Sequence, residues 1–116
     1  MSIPTSERDL SYAADMLSAA EQAVRLSLGK SRSDLDADEL FQLAMLHLIQ
    51  IVGEAATKVS LHLRQQHPEI PWPDIAGTRN RIVHAYADVN LDLVWDVLTV
   101  HLPSLVAQLQ AFVPRS

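Results

Sequence analysis

Two arginines, an asparagine, a histidine and a tyrosine fall within eight residues of the segment GTRNRIVHAYADV, as Arg79, Asn80, Arg81, His84 and Tyr86. Their chemistry suits a phosphodiester. A guanidinium stays charged at any physiological pH and presents a planar fork that bonds two phosphate oxygens at once. An imidazole, with an unperturbed pKa of about 6.5, takes and returns a proton near neutrality. Asn80 can add a neutral hydrogen bond to the same phosphate. Together Arg79, Asn80 and His84 could cleave RNA without a metal. The ribose 2′-hydroxyl would attack the adjacent phosphorus and leave a 2′,3′-cyclic phosphate.

The same residues also admit plainer roles. Arg79 could be an exposed helix-capping arginine or a partner for Glu54, and His84 a buried histidine satisfied by a carbonyl. Asn often serves only as a cap, and Tyr86 could pack its ring and tie down its hydroxyl. Arg81 reads as a solvated charge or an RNA-backbone contact. Glu54 follows Gly53 in the most apolar part of the chain, where an acid without a partner would be costly; it could orient Arg79 or pair with another basic residue. His47, His62, His67 and His101 show no ligand spacing, so neither a metal nor a cofactor is expected.

Geometry constrains the set. If residues 79–86 form one short helix, Asn80 and His84 share a face, but five residues turn Arg79 about 140° away from His84. Irregular backbone at Arg79, or a second copy of the chain supplying the complementary group, would reconcile them. A dimer would also provide two histidines, one as base and one as acid.

The elements that must hold this segment read as helices. Ser6 and Asp9 open the first, with Leu10, Ala14, Leu17, Val24 and Leu28 on one stripe and Gly29 as its stop. Residues 30–35 read as a polar connection, and Asp36 with Glu39 starts a helix over 37–66, roughly 45 Å long. In it Phe41, Met45, Leu48, Val52, Ala55 and Val59 form a heptad-like seam. Between Leu40 and Val52 only Gln42, His47 and Gln50 are polar, so this helix needs cover on more than one side. Pro68, Pro71 and Pro73 then force an extended corner, with a short turn after Trp72, which should plug the core. Asn90 caps the last helix, with Val89 and Val94 as a staple. Leu91, Trp95, Leu98, Leu102, Leu105, Leu109 and Phe112 give it a second seam, in which Pro103 predicts a kink.

Composition agrees. A chain of 116 residues, 48% hydrophobic with 5% aromatics and three glycines, draws its apolar content from Leu, Ala, Val and Ile, the palette of a helical bundle. Its length suits a single domain over residues 1–116. The absence of cysteine fits a reducing cytoplasm. The N-terminal segment lacks a signal-peptide pattern, and no stretch approaches the 18 or so apolar residues of a membrane span, so a soluble, cytoplasmic protein with no membrane partner is expected. A net charge of −5 excludes a general nucleic-acid coat protein and confines any RNA contact to a local patch. The apolar surplus points to a face shared with another chain.

Arg79, His84 and Tyr86 spell R-x4-H-x-Y, which resembles the HEPN ribonuclease motif of the HepT-like toxins. Ile51, Gly53, Glu54 and Ala55 match that family's I-x-G-E-A stretch. Pro71-Trp72, Ile75, Gly77 and Arg79-Asn80 match its I-P-W-x-x-I-x-G-x-R-N run, and Val94-Trp95 with Leu102-Pro103 match its last helix. The resemblance covers residues 10–113 with no departure at the motif positions. It implies an all-α, up-and-down HEPN bundle of four main helices plus a short turn, homodimeric or of higher order. It also implies a metal-independent endoribonuclease toxin acting on RNA, held in check by a nucleotidyltransferase antitoxin that can transfer AMP to Tyr86. A non-catalytic module that binds nucleotides or assists a nucleotidyltransferase is the other function the resemblance allows.

Overall fold

The computed structural model describes residues 6–85 and 88–114, the side chains of 84 and 85 excepted. Ser6 caps α1 (Glu7–Ser27), its hydroxyl accepting from the Asp9 N–H at 3.0 Å. Gly29 follows at φ 77°, the left-handed backbone that glycine tolerates just beyond a helix. The buried face of α1 is displaced from the expected stripe. Ala13, Met16, Leu17, Ala20 and Ala23 are buried, Leu10, Ala14 and Val24 are half-buried, and Leu28 is exposed. Small side chains let α1 settle closely against its two main neighbours, α3 (Glu39–Lys58) and α7 (Leu102–Gln110).

Residues 30–35 are not a plain connection, because they contain most of α2 (Arg32–Ala37). Ser31 and Asp34 form a reciprocal capping box, and Leu35 is fully buried. Paired end groups and one buried anchor offset the poor nucleation of a six-residue helix.

The helix expected over 37–66 is also corrected. Asp38 separates α2 from α3 (Glu39–Lys58) and caps the latter, and the chain breaks again at Val59 and Ser60 before α4 (Leu61–Gln66). Ser60 donates its backbone N–H to the Asp9 carboxylate at 2.9 Å, and its hydroxyl donates to the same group. The hydroxyl also accepts from the Leu63 N–H at 3.3 Å, capping α4. Carbonyls left over at the break are taken by Arg64, whose Nη2 donates to Ala56 at 2.7 Å and whose Nε donates to Val59 at 3.2 Å. Burial alone would push the Asp9 carboxyl up, but the bonds from Ser60 outweigh it and hold the pKa below the usual carboxylate value.

The seam of α3 is as its spacing predicts, with Phe41, Met45, Leu48, Val52, Ala55 and Val59 all buried. Contrary to the sequence expectation, α3 is long and apolar enough, by length and composition alone, to span a membrane. Here it serves as the core helix, between α1 and α5 (Trp72–Ile82). Trp72 is buried as expected, its indole N–H donating to the His67 carbonyl at 3.0 Å.

At the C-terminal end Asn90 caps α6 (Leu91–Asp96) by accepting from the Leu93 N–H at 3.1 Å. The helix does not stop at Pro103. A π turn over Val97–His101 leads into α7 (Leu102–Gln110). Proline has no N–H for the carbonyl four residues back and its ring crowds that carbonyl; the widened turn absorbs both effects. Leu98, Leu102, Leu105 and Leu109 are buried, and Leu91, Trp95 and Phe112 pack at the edge. The fold is therefore all-α, its four main helices being α1, α3, α5 and the continuous run of α6, π turn and α7, with the short α2 and α4 and one two-stranded hairpin between them among the described residues.

Candidate active site

The proline-rich corner places α5 (Trp72–Ile82), with Pro73 in its first turn, where a missing N–H costs nothing. Gly53 brings α5 close to α3: a Cβ there would lie 3.3 Å from the Ile75 carbonyl oxygen. That close approach gives a physical reason for the glycine of the I-x-G-E-A stretch. Gly77 has no such neighbour within 4 Å.

The helix expected over 79–86 instead begins at Trp72 and ends at Ile82. Beyond it β1 (Val83–Ala85) pairs antiparallel with β2 (Asp88–Val89), Val83 opposite Val89 and Ala85 opposite Asp88, with an irregular register between. Arg79 and Asn80 thus occupy the last turn of α5, whereas the His84 backbone belongs to β1. Asn80 and His84 do not share a helical face, and the 140° objection to Arg79 falls away with the straight helix it assumed. The side chain of His84 and the whole of Tyr86 lie outside the described residues.

Arg79 is exposed, its carbonyl accepting from the Val83 N–H, and its guanidinium makes no hydrogen bond or ion pair among the described residues. It borders a groove lined by Gln42, Leu43, Leu46, Gln50, Val83 and Val89. The four α3 residues fall within an arc of about 100°, so the polar breaks already visible in the α3 sequence mark the groove's floor. Leu43 is 56% exposed and neighbouring Leu40 is 79% exposed, an apolar surface beside a free guanidinium.

Glu54 is exposed rather than buried, and its carboxylate accepts from the Gln50 amide at 3.1 Å. It borders a different recess, with Tyr12 and Lys58; Gln50 is its link to the Arg79 groove. Arg81 leaves α5 on the other side. Its Nη2 donates to the Asp74 carbonyl at 2.9 Å and to Thr78 Oγ1 at 3.1 Å, and its Nη1 lies 3.7 Å from the Asp74 carboxylate. The structure therefore keeps Arg79 and Asn80 beside the strand bearing His84, and separates Arg81 and Glu54 from them.

The helical architecture is that of an all-α HEPN domain. The Ribonuclease HepT-like family matches residues 16–112, and the chain belongs to that family. A protein of Thermococcus cleftensis named "Probable ribonuclease HepT" is 30% identical over 94 residues, 81% of this chain and 86% of the relative. A provisionally named RNase of Caldanaerobacter subterraneus subsp. tengcongensis is 27% identical over 104 residues, 90% of this chain and 93% of its own length. Another provisionally named RNase, from Methanocaldococcus jannaschii, is 22% identical over 106 residues. No solved structure gives a significant match.

Proposed function

We propose that this member of the HepT-like ribonucleases is the toxin of a toxin-antitoxin pair, a metal-independent endoribonuclease acting through Arg79, Asn80 and His84. The observation that carries the reading is the exposed guanidinium of Arg79, which makes no hydrogen bond or ion pair among the described residues, at the end of α5, directly before the strand to which His84 belongs. His84 takes the proton of a ribose 2′-hydroxyl, the O2′–P bond forms, the P–O5′ bond breaks, and a protonated His84 returns a proton to O5′. The products are a 2′,3′-cyclic phosphate and a 5′-hydroxyl. Arg79 and Asn80 neutralise the charge that builds on the phosphoryl oxygens. No cofactor enters this scheme.

The apolar face of Leu40 and Leu43 supports a homodimer in which two Arg79 grooves meet, so that one histidine acts as base and its counterpart as acid. A nucleotidyltransferase antitoxin would silence the site by joining AMP to the Tyr86 oxygen, displacing pyrophosphate from ATP. The added phosphodiester anion would occupy the ground of the RNA phosphate. The absence of cysteine supports a cytoplasmic setting.

The test is cleavage of single-stranded RNA by purified, unmodified protein in chelator. Wild type should yield cyclic-phosphate ends, and folded His84→Ala should lose the activity. Equal cleavage by that variant would refute the assignment. Nucleotide or partner binding without any RNA turnover would favour the non-catalytic module.

A further inference from the structure

On the side of α5 away from Arg79 lies a second, partly open cavity of about 360 Å³, bordered by α6, the π turn and α7. Its volume suits a small heterocycle. The floor is apolar, made by Val52, Ile75, Leu102 and Leu105. The cavity's polar lining comes from Arg81 and Asp74 on α5, His101 in the π turn, and Glu69 in the corner before α5. π turns recur at ligand sites because they turn an extra residue outward.

We propose that this cavity is a nucleobase site and that it takes guanine. Arg81 is pinned by the Asp74 carbonyl and Thr78 hydroxyl, which fixes its guanidinium plane as a stacking surface, and the His101 ring offers a second. Arg81 already lies 3.7 Å from the Asp74 carboxylate, and the Glu69 carboxylate lies 3.4 Å from the His67 ring. Arg81 therefore has no unpaired charge to offer a phosphate, and a neutral ring is preferred to an anion. Guanine presents two adjacent N–H donors, at N1 and N2, that match the two oxygens of one carboxylate. The base can come from an RNA strand or from a free nucleotide; the RNA source rests on the ribonuclease reading, whereas base recognition does not. Ile49 borders both this cavity and the Arg79 groove, so a strand crossing α5 could meet both.

The experiment is a titration of the isotope-labelled full chain, as His84→Ala, followed by amide chemical shifts. Guanosine should move the signals of Thr78, Arg81, His101 and Leu102, with adenosine and cytidine about tenfold weaker. Asp74→Asn should erase that preference, and Ser104→Trp, which fills the cavity from α7, should abolish the shifts while the rest of the spectrum reports the intact fold. A single-stranded RNA with one guanine should move the same signals if the strand is the source, and guanosine monophosphate alone if the nucleotide is. No shift at about 10 mM guanosine, equal response to all nucleosides, or shifts confined to the Arg79 groove would overturn the proposal. Loss of RNA cleavage in other tests would leave it standing.

Discussion

Asn90 donates its backbone N–H to the Ile82 carbonyl at 2.8 Å, and the whole segment carrying His84 and Tyr86 is strung between these two residues. Ile82 is the last residue of α5 and Asn90 the cap of α6, so one hydrogen bond joins the ends of both helices to the hairpin. Arg32 adds a brace from α2, its guanidinium lying 2.9 Å from Asp92 in the first turn of α6. The site segment is therefore a short bridge between two anchored helices.

The Arg79 guanidinium is exposed and makes no hydrogen bond or ion pair among the described residues, so Arg79→Ala should melt like wild type. RNA cleavage should fall by about 100-fold or more, the scale of losing one group that stabilises developing charge. Arg79→Lys should recover only part, because an ammonium keeps the charge and loses the fork. Single-turnover cleavage rates beside thermal melts check both statements.

Leu43→Glu places a charge on the apolar groove wall without disturbing the core. Sedimentation should show a dimer for wild type and a monomer for the variant, with cleavage lost in parallel. A dimeric, active Leu43→Glu protein would remove this face from the interface.

The two α-helical glycines should respond oppositely. Gly77→Ala adds a methyl where nothing lies within 4 Å, and should stabilise by about 0.5–1 kcal/mol through helix propensity and the unfolded state. Gly53→Val drives a branched side chain toward the Ile75 carbonyl, and should destabilise by about 1–3 kcal/mol. Urea unfolding of both variants measures the difference.

Asp9 should make stability acid-sensitive. Despite burial, the bonds from Ser60 hold its folded pKa below the usual carboxylate value, so its contribution is complete above the pKa of the unfolded chain and is lost as pH falls through the folded pKa. Asp9→Asn should be less stable than wild type at pH 7 and show a flatter loss of stability on acidification. Denaturant midpoints across the acid range give the comparison.

Elements governed by local rules were legible in the sequence. The α3 seam, the Trp72 plug, the Asn90 cap and the disturbance before Pro103 all follow from period, burial or the chemistry of one residue. The break at Ser60 was not, because the group that claims its N–H is Asp9, fifty-one residues earlier. The end of α5 was misplaced for a similar reason. Ile82 and Val83 tolerate either state, and pairing with Val89 and Asn90 decides it. For the site, residue types pointed to Arg79, Asn80 and His84, but not to Gln50 as the link between Glu54 and the groove.

The bond between Asp9 and Ser60 also orders events during synthesis. At about 5–20 residues per second, Asp9 waits some 3–10 s for Ser60 to be made, and α1 must wait longer for α7. Until then the apolar face of α1 lacks much of its cover. The nascent chain can therefore expose Arg79 and His84 before its core has closed, which makes completion of α7 the step that turns a loose string of functional groups into a folded domain.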